Sequence, residues 1–76
     1  MSRRLPALGA DQVVRALRRA GFALHRVKGS HHHLRHAGRP SLRVVVPVHK
    51  GGLPLGTLRA IIRQAGLTED EFVDLL

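Results

Sequence analysis

Six of the 76 residues are histidine: His25, His31, His32, His33, His36 and His49. Imidazole is the side chain whose ordinary pKa lies near neutrality, so it can take up or release a proton at physiological pH. Three readings compete for such a set. Acid–base catalysis needs an imidazole beside the bond that breaks. Metal binding needs several to converge on one ion. A solvated strand with weak anion affinity needs neither, and composition alone does not choose among the three. The run His31-His32-His33 speaks against convergence, because neighbouring residues of a strand point to opposite faces. His31 and His33 share a face, but a closed zinc site takes four ligands. No metal and no other cofactor is expected.

Cysteine is absent, which removes thiolate nucleophiles, disulfides and Cys-ligated zinc. The acids are Asp11, Glu69, Asp70, Glu71 and Asp74, so the stretch from Gln12 to Thr68 holds no carboxylate. A two-metal nuclease centre needs several carboxylates, and that stretch cannot supply them. RNA cleavage by this chain would take the other route, attack of a 2′-hydroxyl on its own phosphate. That route needs a base, an acid and positive charge for the transition state.

The charge balance points to a polyanion. Lys and Arg number 13 against 5 Asp and Glu, a net charge of +8. All of the Lys and Arg except Arg3 and Arg4 fall in the acid-free stretch. Such a surface attracts polyanions and releases their counterions on binding. RNA, DNA, an anionic membrane surface or an acidic protein would fit, and a merely solvated surface is the plain alternative. The chain has two Phe and no Trp or Tyr, and both Phe read as core. Base stacking on aromatic platforms is therefore not expected. Contacts to phosphate and sugar should dominate, with a steep dependence on salt.

The elements that must position these groups follow from periodicity. One domain is expected over 9–76, preceded by a short basic arm over 1–8 that carries Arg3 and Arg4. Val13, Val14, Leu17 and Ala20 recur at helical spacing, which predicts a helix from about Ala10 to Ala20, with Gly21 just past its end. Strands are expected over Phe22–Val27, His31–His36 and Leu42–Val46, separated by Lys28-Gly29-Ser30 and Ala37-Gly38-Arg39-Pro40. Leu55, Leu58, Ile61, Ile62 and Ala65 predict a second helix over about Pro54–Ala65. Thr68-Glu69-Asp70-Glu71 is a capping box that opens a third, short one. The order is α-β-β-β-α-α, an α+β fold with the helices on one face of a three-stranded antiparallel sheet. Leu34 should point toward the helices, which leaves His31, His33 and Arg35 on the open side. No run approaches the apolar length of a membrane span, and no apolar core of a leader follows the basic start. A cytoplasmic protein is the expectation.

Short stretches in this order resemble the HicA (YcfA-like) mRNA interferase family: Ala20-Gly21-Phe22, Lys28-Gly29-Ser30-His31-His32, Val46-Pro47-Val48-His49, Gly56-Thr57-Leu58-Arg59-Ala60-Ile61 and Gln64-Ala65-Gly66-Leu67. The resemblance runs from Leu5 onward. It implies a double-stranded-RNA-binding-domain-like fold and a toxin of a toxin–antitoxin pair that cleaves mRNA. It also implies a HicB-type antitoxin, acidic at the interface, that buries the active site. The residue it marks as catalytic is His31, with Gly29 and Ser30 in support. His32 also matches a common position of the family, but its opposite parity suits a structural part.

Around a catalytic His31, Lys28, Arg35 and Lys50 are candidate phosphate ligands. The start of the second helix, at Gly56 and Thr57, offers backbone N–H groups to a phosphate, although Thr57 suits a plain helix start as well. The loop from His49 to Leu55 is slightly shorter than is usual in the family. The additional His33 and His36 leave the second proton-transfer group open, and the role of His31 as base or acid with it. The competing class is a non-catalytic RNA- or DNA-binding module with inert histidines. A protein whose only task is to pair with an acidic partner is a further alternative.

Overall fold

A computed structural model describes residues 5–76. Arg3 and Arg4 of the expected arm lie outside the described residues. Helix α1 (Ala10–Arg19) is followed by strands β1 (Phe22–Lys28), β2 (His31–His36) and β3 (Arg43–Pro47), then by helices α2 (Leu55–Gln64) and α3 (Glu69–Val73). The sheet is antiparallel with strand order β1-β2-β3.

Each helix begins and ends for a local reason. Gln12 reaches back to accept a hydrogen bond from the Gly9 N–H at 2.9 Å, and Asp11 sits in the first turn, where the helix dipole favours an anion. At the other end Gly21 has φ 102°, a conformation that costs other residues. Pro54, expected inside the first turn of α2, precedes it as the N-cap and has no N–H to leave unpaired. The capping box of α3 forms in full: Thr68 Oγ1 accepts from Glu71 N at 3.1 Å, and Glu71 Oε1 accepts from Thr68 N at 2.8 Å.

The apolar stripes meet over one face of the sheet. Ala10, Val13, Ala16 and Leu17 of α1 and Leu58, Ile61 and Ile62 of α2 are buried with Leu34, Val44, Val46 and both Phe. Leu8 joins this core, and no charged or polar residue is buried as a whole within the described residues. Leu55, expected in the stripe of α2, is 49% exposed, because the first turn of that helix extends past the core. The Gln64 side chain accepts from Val45 N at 3.3 Å, so α2 also covers part of the β3 edge. Among the described residues no helix is long and apolar enough to cross a membrane.

Candidate functional site

Among the described residues no helix covers the other face of the sheet, and its character is set by the pairing of β1 with β2. Between Phe22↔His36 at one end and Lys28↔His31 at the other, β1 spends seven residues against six of β2. One residue is therefore in excess, and the register shifts between Leu24 and Arg26. A bulge of this kind turns two consecutive side chains to the same side and re-aims the remainder of the strand. Here His25 and Arg26 both oppose His33, and Lys28 comes to share a face with its partner His31. Counting alternate residues from the buried Phe22 would have sent Arg26 and Lys28 toward the helices.

The turn between the strands has a specific requirement. Lys28 pairs with His31, so Gly29 and Ser30 are the two central residues of a hairpin. Gly29 has φ 59°, while Ser30, like every described non-glycine residue, keeps φ negative. Positive φ at the first central position alone is the pattern of a type II′ turn, which needs Gly there and matches the twist of the strands. No atom lies within 4 Å of where a Cβ on Gly29 would stand, so the demand is on the backbone and not on space. The Ser30 carbonyl accepts from Val48 N at 2.7 Å, which ties the turn to the chain that leaves β3.

His31 is thus presented at the end of the sheet. It is exposed, with Lys28 opposite on β1 and Pro47 opposite on β3. Its side chain makes no hydrogen bond or ion pair within the described residues. Lys28, Gly29 and Ser30 are exposed around it. Lys50 is exposed on the loop that leaves β3 at this end, and that loop is anchored beyond by Leu53 N donating to Leu8 O at 2.8 Å. Arg35 lies on the same face of β2, four residues on, or about 13 Å at the rise of a strand. Thr57 is half-buried in the first turn of α2, ahead of the bond from Leu58 N to Pro54 O.

The other histidines divide sharply. His32 faces the helices and lines a groove with Val14, Arg18, Leu24 and Val48. His36 is committed. Its Nδ1 accepts from Gly38 N at 3.1 Å and Arg39 N at 3.0 Å, so the proton sits on Nε2, which donates to Ala20 O at 3.0 Å. Its ring stands edge-on to Phe22, with centroids 5.1 Å apart. His25 and His33 join Arg26, Arg35 and Arg43 around a cleft in the middle of the open face. Sequence reasoning does not bring His25, Arg26 or Arg43 into the site. With β1 expected over Phe22–Val27, the first two strands have equal length and the bulge is hidden.

The acids stand elsewhere. Asp11 lies on α1 and the others on or beside α3. Arg15 reaches Asp11 at 3.9 Å, Arg59 reaches Glu69 at 3.6 Å, and Arg19 donates to the Leu75 carbonyl at 2.7 Å. Arg15, Arg19 and Arg59 of the helical layer thus have partners. Arg26, Lys28 and Arg43 on the open face have none among the described residues. Nor does any group of three or more His, Asp or Glu side chains among them form a metal-binding set.

A family model described as the HicA toxin of bacterial toxin–antitoxin systems matches residues 10–67, well over half of the chain. The chain belongs to the HicA toxin family. No curated protein matches it. The matched span holds α1, the whole sheet and α2, and with them the hairpin turn that carries His31. As a member of a toxin–antitoxin family, the toxin has an antitoxin as its partner.

Proposed function

We propose that this HicA-family toxin is a metal-independent endoribonuclease that cuts mRNA and so blocks translation, with His31 as its proton-transfer group. One observation carries the reading. His31 is exposed and uncommitted beside Lys28, at the end of a basic sheet face without carboxylates, in a chain of a toxin family. In the reaction the 2′-oxygen bonds to its own phosphorus and the 5′-oxygen leaves, giving a 2′,3′-cyclic phosphate and a free 5′-hydroxyl. His31 takes the 2′-hydroxyl proton or delivers one to the departing oxygen. Lys28 offsets the charge that gathers on the phosphoryl oxygens, where a pre-placed cation stabilises the transition state more than the ground state. Ser30 and Lys50, at the same end of the sheet, hold flanking phosphate or sugar. Thr57 and the first N–H groups of α2 serve RNA farther along. The fold that holds them, a double-stranded-RNA-binding-domain-like arrangement, leaves the sheet face to the nucleic acid.

The antitoxin is proposed to be HicB-type and to lay acidic groups over this face. Carboxylates there would pair with Lys28 and the arginines that lack partners among the described residues, and would exclude RNA by the same charge that attracts it.

The test uses the toxin purified free of its partner, with labelled single-stranded RNA in excess chelator, beside His31→Ala. The expected result is cleavage by the wild type to cyclic-phosphate ends, and binding without cleavage by the variant. A parallel reaction contains translating ribosomes. Binding by both proteins with cleavage by neither, in either reaction, would leave a nucleic-acid-binding module and remove the enzyme.

A further inference from the structure

The cleft at the centre of the open face is built by the bulge. His25, Arg26, His33, Arg35 and Arg43 line it, over Leu34 and Val44, around a volume of about 160 Å³. That is well below the roughly 300–1,000 Å³ of small-molecule pockets, so it suits one group of a larger ligand. Its charge is unmatched. Arg35 donates through one terminal nitrogen to His25 Nε2 at 3.2 Å, a neutral acceptor. Its Nε is buried with no acceptor among the described residues. Arg26 and Arg43 are exposed and have no partner within the described residues. A buried donor left unsatisfied is costly, and three guanidinium groups without an anion repel one another. One oxyanion at the cleft would relieve both, and the guanidinium fork fits the oxygens of a phosphate in a bidentate way.

The cleft lies on the strand that carries His31. Residues 31, 33 and 35 of β2 line one face at successive pleats. A nucleic-acid strand with its reacting phosphate at His31 can lay its next phosphates along β2 toward Arg35. A carboxylate on a folded partner would answer the same charge, but nothing would tie it to the line that runs from His31.

We propose that this cleft is a second phosphate subsite. It takes a backbone phosphate of the RNA a few nucleotides from the one that reacts, and the assignment rests on the proposed role of His31. Arg35 and Arg43 hold the phosphate oxygens and His25 orients Arg35. The subsite thereby fixes which linkage comes to rest at His31.

The test measures binding of a short single-stranded RNA with 2′-O-methyl groups throughout, which cannot be cleaved, as salt is varied. Arg35→Gln is expected to weaken binding several-fold at low salt and to lower the slope of log K against log salt by about 0.7. The double variant Arg26→Gln/Arg43→Gln changes only exposed side chains and guards against a folding defect in Arg35→Gln. It is expected to lose at least as much. Methylphosphonates placed one linkage at a time should weaken wild-type binding at a linkage other than the one the toxin cuts in ordinary RNA. That same replacement should be silent in Arg35→Gln. Wild-type affinity and slope in both variants would overturn the proposal. So would a loss of antitoxin binding without a loss of RNA binding, which would make the cleft a protein contact. If ordinary RNA is not cut at all while one methylphosphonate remains sensitive to Arg35, the role of His31 fails and the subsite stands.

Discussion

Strand β2 begins and ends with an imidazole, and the two meet opposite fates. His36 spends both ring nitrogens on backbone groups and packs its ring against Phe22. It joins the end of α1, the start of β1 and the β2–β3 turn into one corner. The imidazole of His31, five residues earlier, has no hydrogen-bond partner among the described residues and stands exposed beside Lys28. An imidazole that holds separate backbone segments together has no nitrogen left to exchange protons with a substrate. The comparison separates a histidine used for architecture from one available for chemistry, and it does so by partners rather than by sequence.

Substitution at the two ends should break this symmetry in opposite ways. His31→Ala is expected to lower RNA cleavage by about 10²- to 10⁴-fold, the range of a proton-transfer group. Its unfolding free energy should stay within about 0.5 kcal/mol of wild type, because an exposed side chain without partners is removed. Urea denaturation beside a cleavage assay reads both. A large loss of stability would mean that His31 is structural after all.

His36→Ala should do the reverse. It leaves the Ala20 carbonyl and the Gly38 and Arg39 N–H groups without their partner and removes a ring contact, for a loss of about 2–3 kcal/mol. The midpoint of thermal unfolding should fall by roughly 8 °C or more in a domain of this size. Cleavage per folded molecule should be unchanged. If His36→Ala keeps its melting temperature, the network at this corner contributes little, and the contrast with His31 loses its basis.

The glycines beside the two histidines sharpen the point. Gly21, with φ 102°, would place a Cβ 2.7 Å from the His36 Nε2. Gly21→Ala therefore meets both backbone strain and a clash, and should cost about 2 kcal/mol. Gly29→Ala meets only the strain of positive φ, with open space around it, and should cost about 1 kcal/mol. Equal costs in chemical denaturation would show that the His36 contact adds nothing.

The smallest expected effect is at Lys28. Lys28→Ala should leave stability unchanged and reduce the salt slope of RNA binding by about 0.7, the share of one phosphate on a single strand. An unchanged slope would place the phosphate elsewhere than beside His31.

Much of this was legible in the chain itself. The order α-β-β-β-α-α followed from apolar spacing, because helices and strands repeat with different periods. The burial of Leu34 against the exposure of His31 followed from the strict alternation of a strand without irregularity. The Gly29-Ser30 turn announced itself, because positive φ at that corner narrows the choice to Gly. The tertiary structure alone decided the rest. The bulge at His25 exists because β1 must join a register set at Phe22 and at Lys28 with one residue too many. That count depends on where the strands end, which no local pattern shows. The bulge carries Arg26 and Lys28 to the face of His31 and opens the arginine-lined cleft. Likewise nothing in the run His31 to His36 marks the last histidine as structural. Its partners come from residues at positions 20, 38 and 39, which only the folded chain brings to it.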